Sequence, residues 1–281
     1  MRNCYLLPVL LVLSACLVLP PTSVDTPIPS ANQTPAPEPA STEIPIPSKT
    51  LPLPTKTAPP PEPTDPVWTA CSPLAGFALT DLPDHITNPF APPPPGSDEP
   101  HQGIDLSDFL PNTQIAIAGR PVQAALAGQV ALVISDRFPW GNAILIETPL
   151  EPLAVPFALP TPFPEIPLHS NLTCPGETAF EWNEKARSLY ILYAHMQSAP
   201  SLQPGEGVAC GQEFSAIGNT GNALNPHLHL EARIGPAGAR FTGMAHYTSS
   251  AGIVEMDTYC TWRVSGWFQL IDPAGVLGYE E

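Results

Sequence analysis

"NPHLHLEAR" spans residues 225–233, and its pattern decides how the chain is read. Side chains in an extended segment alternate faces, so His227 and His229 project to one side and Leu228 and Leu230 to the other. Such a strand is either one wall of a metal site or a half-buried strand that happens to carry histidine. Partners elsewhere in the chain decide between the two. "PHQGIDLS" (100–107) sets His101 and Asp105 four residues apart, an even spacing that again gives one face of an extended segment. "SLYILYAHM" (188–196) is a further apolar run, and it carries His195 near its end. Each motif alone is common by chance. Their joint occurrence in one chain is not.

Around these motifs the local signals are those of strands and turns. "GRPVQAALAGQVALVISD" (119–136) and "GNAILIETP" (141–149) combine β-branched and small apolar residues with glycine at the turns. No stretch carries a capped, sustained 3.6-residue apolar period. The expected class is therefore all-β: a single antiparallel β-sheet or sandwich domain over residues 67–281, with an open groove. Residues 149–187 hold eight prolines and no strand alternation, and read as an insertion loop between two strands.

Prolines also organise the N-terminal part. Of 41 in the chain, 16 fall between Pro20 and Pro66, among Thr, Ser, Ala and Glu with almost no aromatics. Residues 17–66 therefore read as a disordered, extended linker that cannot bury enough apolar surface to fold. Ahead of it, one basic residue and an apolar run form a secretory leader over residues 1–16. Its "LSAC" places Cys16 where a bacterial lipoprotein signal has the cysteine that becomes lipidated. The expected location is outside the cytoplasm, tethered to a membrane by that lipid.

Residues 67–281 hold 21 acidic and 7 basic residues, and no basic stripe exists. That excludes a phosphate-tracking surface and hence nucleic acid as a partner. Four cysteines remain beyond the leader: Cys71, Cys174, Cys210 and Cys260. None forms a Cys-x-x-Cys pair, and an even number in an exported domain suits two disulfides. Three connectivities are open. Proximity of domain termini favours Cys71–Cys260, leaving Cys174–Cys210.

Taken together, "HQGID", "YAHM" and "NTGNALNPHLHLEAR" resemble the lysostaphin- and LytM-type zinc endopeptidases that cut peptidoglycan cross-bridges. The similarity runs from about residue 100 to 234, with "LIDPAGVLG" (270–278) resembling the family's closing segment. It implies one Zn2+ held by His101, Asp105 and His229, with peptidoglycan as the substrate. It implies two further imidazoles beside the metal, His195 and His227. His227 is assigned as the general base and His195 as the oxyanion stabiliser, although the two roles are interchangeable on sequence alone. Three protein ligands leave a coordination position open, as catalytic zinc requires. The loops at 149–187 and 235–266 exceed the family's usual connections. His85, His169 and His246 belong to no motif and read as surface or structural, His246 alone having a claim on the groove rim. A silent, wall-binding relative is the alternative, but such members typically lose metal ligands and none is lost here. No His-Glu-x-x-His occurs, which excludes the common helix-borne zinc proteases, and no Glu-x-x-His, which disfavours the wall carboxypeptidases that pair that motif with a longer His-to-Asp spacing.

Overall fold

The computed structural model describes residues 68–94, 96–151, 153, 155–160, 172–176 and 183–279. Cys16, the linker over 17–66 and His169 lie outside the described residues.

The strands, in chain order, are β1 (Ile86–Asn88), β2 (Ile104–Leu106), β3 (Asp108–Phe109), β4 (Ala116–Ile117), β5 (Pro121–Gln123) and β6 (Gly128–Arg137). They continue with β7 (Gly141–Pro149), β8 (Asn183–Met196), β9 (Gly207–Val208), β10 (Glu213–Ala216), β11 (Leu228–Ala237) and β12 (Gln269–Ile271). The main sheet is eight-stranded, in the order β1-β2-β11-β8-β7-β6-β9, with β12 sharing an edge of β11 with β2. All of its pairings are antiparallel. Two short ribbons, β10-β5 and β3-β4, stand outside it. The chain is thus dominated by antiparallel β-structure.

The central strands are buried on both faces, which is why they read as nearly unbroken apolar runs. On β8, Leu189, Ile191 and Tyr193 join one core, while Tyr190, Leu192 and Ala194 join a second on the opposite face. Strand β11 keeps the same alternation but divides its chemistry. Leu228, Leu230, Ala232 and Ile234 enter the first core. His229, Glu231 and Arg233 therefore share the other face, the one covered by the second core.

Two helices were not anticipated. The first, α1 (Ile253–Arg263), lies against the second core and contributes Tyr259 and Trp262 to it. Its N-cap is Gly252, without a side-chain cap, and its buried residues are the consecutive run Thr258 to Trp262. Its cap signal is confined to a glycine and to Glu255, whose carboxylate accepts from the Gly252 N–H at 2.8 Å, and no one-sided stripe advertises it. The second, α2 (Pro273–Leu277), is one short turn capped by Asp272, whose carboxylate accepts from the Ala274 N–H at 2.8 Å.

The disulfide pairing differs from the expected one. Cys71 bonds Cys210, and Cys174 bonds Cys260. The first follows from a shared neighbour: the Cys71 N–H donates to the Ala125 carbonyl and the Gly211 N–H to the Ala124 carbonyl, so both segments flank one strip of backbone. The second follows from the docking of residues 172–176 on α1, where the Gly176 N–H donates to Asp257 Oδ1 at 2.8 Å. Proximity of the domain's two ends gave the wrong partners because α1, not the C-terminal segment, carries Cys260. Two such bonds suit an oxidising, extracytoplasmic setting. Among the described residues no helix is long and apolar enough to cross a membrane.

Candidate metal centre

The site forms where β2 and β11 run side by side. His229 is the direct cross-strand partner of Asp105, so both side chains stand on one face. His101 reaches the same point from the loop before β2. Gly103 lets that loop pass under β11: a Cβ there would lie 2.4 Å from the Leu230 carbonyl oxygen and 2.9 Å from His229 Cε1. Any larger residue would drive the two segments apart.

Three atoms converge. His101 Nε2 lies 3.0 Å from Asp105 Oδ1 and 3.1 Å from His229 Nδ1, and His229 Nδ1 lies 2.9 Å from Asp105 Oδ1. Among the described residues they are the one group of three or more whose atoms close on a common point in this way. A tetrahedral ion with bonds of about 2.0–2.1 Å separates its ligands by roughly 3.3 Å, so the triangle needs to open only slightly. The far atoms agree with that use. His101 Nδ1–H donates to the Pro89 carbonyl at 3.1 Å, which leaves the Nε2 lone pair free. Asn88 donates to Asp105 Oδ2 at 3.1 Å, holding the carboxylate with Oδ1 turned inward. His229 Nε2 faces the Glu231 carboxylate at 3.5 Å, leaving Nδ1 toward the site. Two imidazoles and one carboxylate, the first imidazole and the carboxylate held from behind by hydrogen bonds, form a donor set that fits a zinc ion.

Charge says the same. Burial alone would push the His229 pKa down, yet the hydrogen bond with Asp105 and the nearby Glu231 carboxylate raise it to about 9. Burial would raise Asp105, but hydrogen bonds from His101 and His229 hold it well below the carboxylate range.

His195 and His227 stand beside it. Strand β8 is bulged against β7, pairing Tyr193 with Ile144 but Met196 with Asn142. Within the bulge His195 adopts a left-handed backbone, φ 63°. A non-glycine residue held there is strained, and such strain gathers at functional sites. The result aims its ring at the HxH strand, 4.8 Å from the His227 ring and 5.8 Å from that of His229. His195 Nδ1–H donates to the Thr220 carbonyl and His227 Nδ1–H to the Asn225 carbonyl, each at 2.8 Å. Both rings, when neutral, thus carry their Nε2 lone pair free. All five residues line one open cleft of about 630 Å³.

Burial, with the neighbouring His229 and His227, lowers the His195 pKa to about 3. The sign of its effect on stability follows. Below the unfolded value of about 6.5 the unfolded chain takes a proton that the folded ring refuses, so stability falls as pH drops from 6.5 toward 3. His195→Asn removes that liability. In chelator, the stability difference between wild type and variant is expected to shift in the variant's favour by on the order of 2 kcal/mol between about pH 7 and about pH 4.5. Denaturant titrations at both pH values check this; a constant difference would contradict a buried neutral ring.

Tyr247 and Tyr259, on the long connection over 235–266, line the cleft, whereas sequence reasoning missed Trp140, Asp98 and Arg263, which line it too; Trp140 packs on His229, with ring centroids 6.1 Å apart. None belongs to a recognisable motif; they come from loops and from α1. The other two described histidines are structural. His85 donates to the Ser107 carbonyl at 2.8 Å and stacks on Phe77. His246 is buried and off the groove rim, its Nε2–H donating to the Thr173 carbonyl at 3.0 Å beside Cys174.

No family model matches the chain. It is similar to solved structures at low identity. One is a zinc-containing peptidase from Vibrio cholerae: 22% identity, covering 52% of this chain and 32% of that one, TM-score 0.30. Another is the catalytic domain of the antimicrobial peptidase lysostaphin from Staphylococcus simulans: 19% identity, 56% and 86% coverage, TM-score 0.33. A third is the catalytic domain of the prophage-encoded protein EnpA from Enterococcus faecalis: 20% identity, 54% and 81% coverage, TM-score 0.32. The chain spans 32% of the length of the Vibrio cholerae peptidase it matches.

Proposed function

We propose that the chain is a zinc-dependent endopeptidase that hydrolyses peptide bonds in the stem peptides or cross-bridges of peptidoglycan. The observation that carries this reading is the convergence of His101 Nε2, Asp105 Oδ1 and His229 Nδ1 in an open cleft that also holds two further imidazoles. A structural zinc would be closed by a fourth protein ligand; a three-ligand centre facing a cleft is the catalytic arrangement. When bound, zinc supplies Lewis acidity that polarises the scissile carbonyl and acidifies water.

The chain's own residues do the rest. His227, the less buried of the two free imidazoles, takes the proton of the attacking water at Nε2 and returns it to the leaving amine. The carbonyl of Asn225 fixes its ring for that exchange. His195, held by Thr220, presents an acceptor at Nε2 while neutral, which suits orienting the water. It donates toward an oxyanion only after gaining a second proton, which its burial opposes. The cleft walls, Trp140 and Tyr259 among them, limit water around the reacting bond. In the same reading Cys16 carries the lipid anchor, residues 17–66 form the tether, and the wall polymer is the partner.

The test is digestion of purified peptidoglycan by the full chain, with products read by mass spectrometry. New free amino termini at peptide bonds, lost on chelation and restored by zinc, are expected. Products cut only in the glycan would overturn the assignment.

A further inference from the structure

Behind the three ligands lies a second layer that is mostly the work of α1. Arg263, at its last turn, reaches two anions at once. Its Nη1–H donates to Glu231 Oε2 at 2.8 Å, and its Nε–H donates to Asp98 Oδ1 at 2.5 Å. Each anion leads to a different metal ligand. Glu231 Oε2 is the oxygen that faces His229 Nε2 at 3.5 Å. Asp98 heads the loop that delivers His101, and Gln102 donates back to the Asp98 carbonyl at 3.2 Å. A third route runs through packing: the Arg263 guanidinium lies over the Trp140 ring at 5.4 Å, and that ring packs on His229.

We propose that Arg263 is a positioning residue for the metal centre, clamping His229 through Glu231 and the His101 loop through Asp98. Its planar fork can hold two carboxylates in fixed relative positions, which a lysine ammonium cannot. Helix α1 is itself pinned from outside. Arg137 donates to Glu255 near its start, at 2.8 Å from Nε, and the Cys174–Cys260 disulfide fixes it near its end. The segment over 235–266 thus serves as a brace for the ligands and not merely as a lid on the second core.

The inference rests on the metal-centre reading, and zinc affinity separates the two. The metal-stripped full chain is titrated with zinc against a chromophoric chelator. Wild type is expected to take one zinc. Arg263→Lys keeps the charge but not the fork, and is expected to bind zinc roughly 10–100-fold more weakly. Arg263→Met sharpens the sign: losing a nearby cation should by itself strengthen zinc binding, so weaker binding by the folded variant, measured at a pH where His229 is neutral, marks lost positioning. Coupling is reciprocal, so in wild type zinc is expected to slow amide hydrogen exchange in the last turn of α1, a readout that needs no variant to fold. A folded Arg263→Lys protein that binds zinc within about twofold of wild type, or α1 exchange indifferent to zinc, overturns the proposal while leaving the metal centre standing. A wild-type chain that takes no zinc overturns both.

Discussion

His229→Ala is expected to leave a folded protein that holds no stoichiometric zinc and has lost wall hydrolysis at least about a thousandfold, the several kcal/mol of transition-state stabilisation that a metal supplies. His229 is singled out because three contacts meet on it. Its Nδ1 is within 2.9 Å of Asp105 Oδ1 and 3.1 Å of His101 Nε2, and its ring lies in the path from the cleft to Glu231. Without it the remaining pair is a histidine and an aspartate four residues apart, too few donors to hold zinc against water. Alanine also keeps the β11 register, because the Leu228 and Leu230 anchors of the first core are untouched. Metal analysis and cell-wall turnover on the same preparation check the prediction. Wall lysis undiminished in the variant would remove the enzyme reading altogether.

The second large effect is on stability. Glu231→Gln is expected to destabilise the metal-free protein by about 3–5 kcal/mol, although the two side chains are nearly the same size. Glu231 is fully buried. Its two oxygens are shared between Arg233 and Arg263, and Arg233 continues to Gln102 and to the Phe268 carbonyl. Burial alone would raise its pKa, but the two guanidinium groups and His229 hold the carboxyl well below its usual range. A folded value below the unfolded one places this contribution above about pH 4.3 and removes it as pH falls. Glutamine leaves two buried guanidinium groups facing one another, with Asp98 the carboxylate left beside them. Urea midpoints for wild type and variant at neutral pH measure the loss; a difference under about 1 kcal/mol would show that the network is solvated.

The reach of sequence reasoning can be traced residue by residue. The HxH strand was legible because its period of two is dictated by extended backbone, and its leucines had to be core. The ligand set came from a family resemblance carried by three separate motifs, and the cross-strand pairing of His229 with Asp105 brings two of those motifs to one face. Helix α1 was not, since it starts at a glycine and buries its second half on several sides, leaving no apolar stripe. With α1 went the correct partner of Cys174 and the Asp98–Arg263–Glu231 chain. Those contacts join residues up to 165 positions apart and depend on where a helix docks, which no local pattern encodes. The bulge at His195 was equally silent, because a left-handed histidine looks like any other in a sequence.

The two disulfides have one more consequence, which lies in their overlap. Cys71–Cys210 encloses every peptide bond between those residues, and Cys174–Cys260 encloses those from Cys174 onward. The two loops interlock across 174–210, so one cut anywhere between Cys71 and Cys260 leaves both fragments covalently joined. A nick in the segment over 149–183 therefore frees nothing to diffuse away. Between Cys71 and Cys260, shedding a piece takes either a reductant or more than one cut.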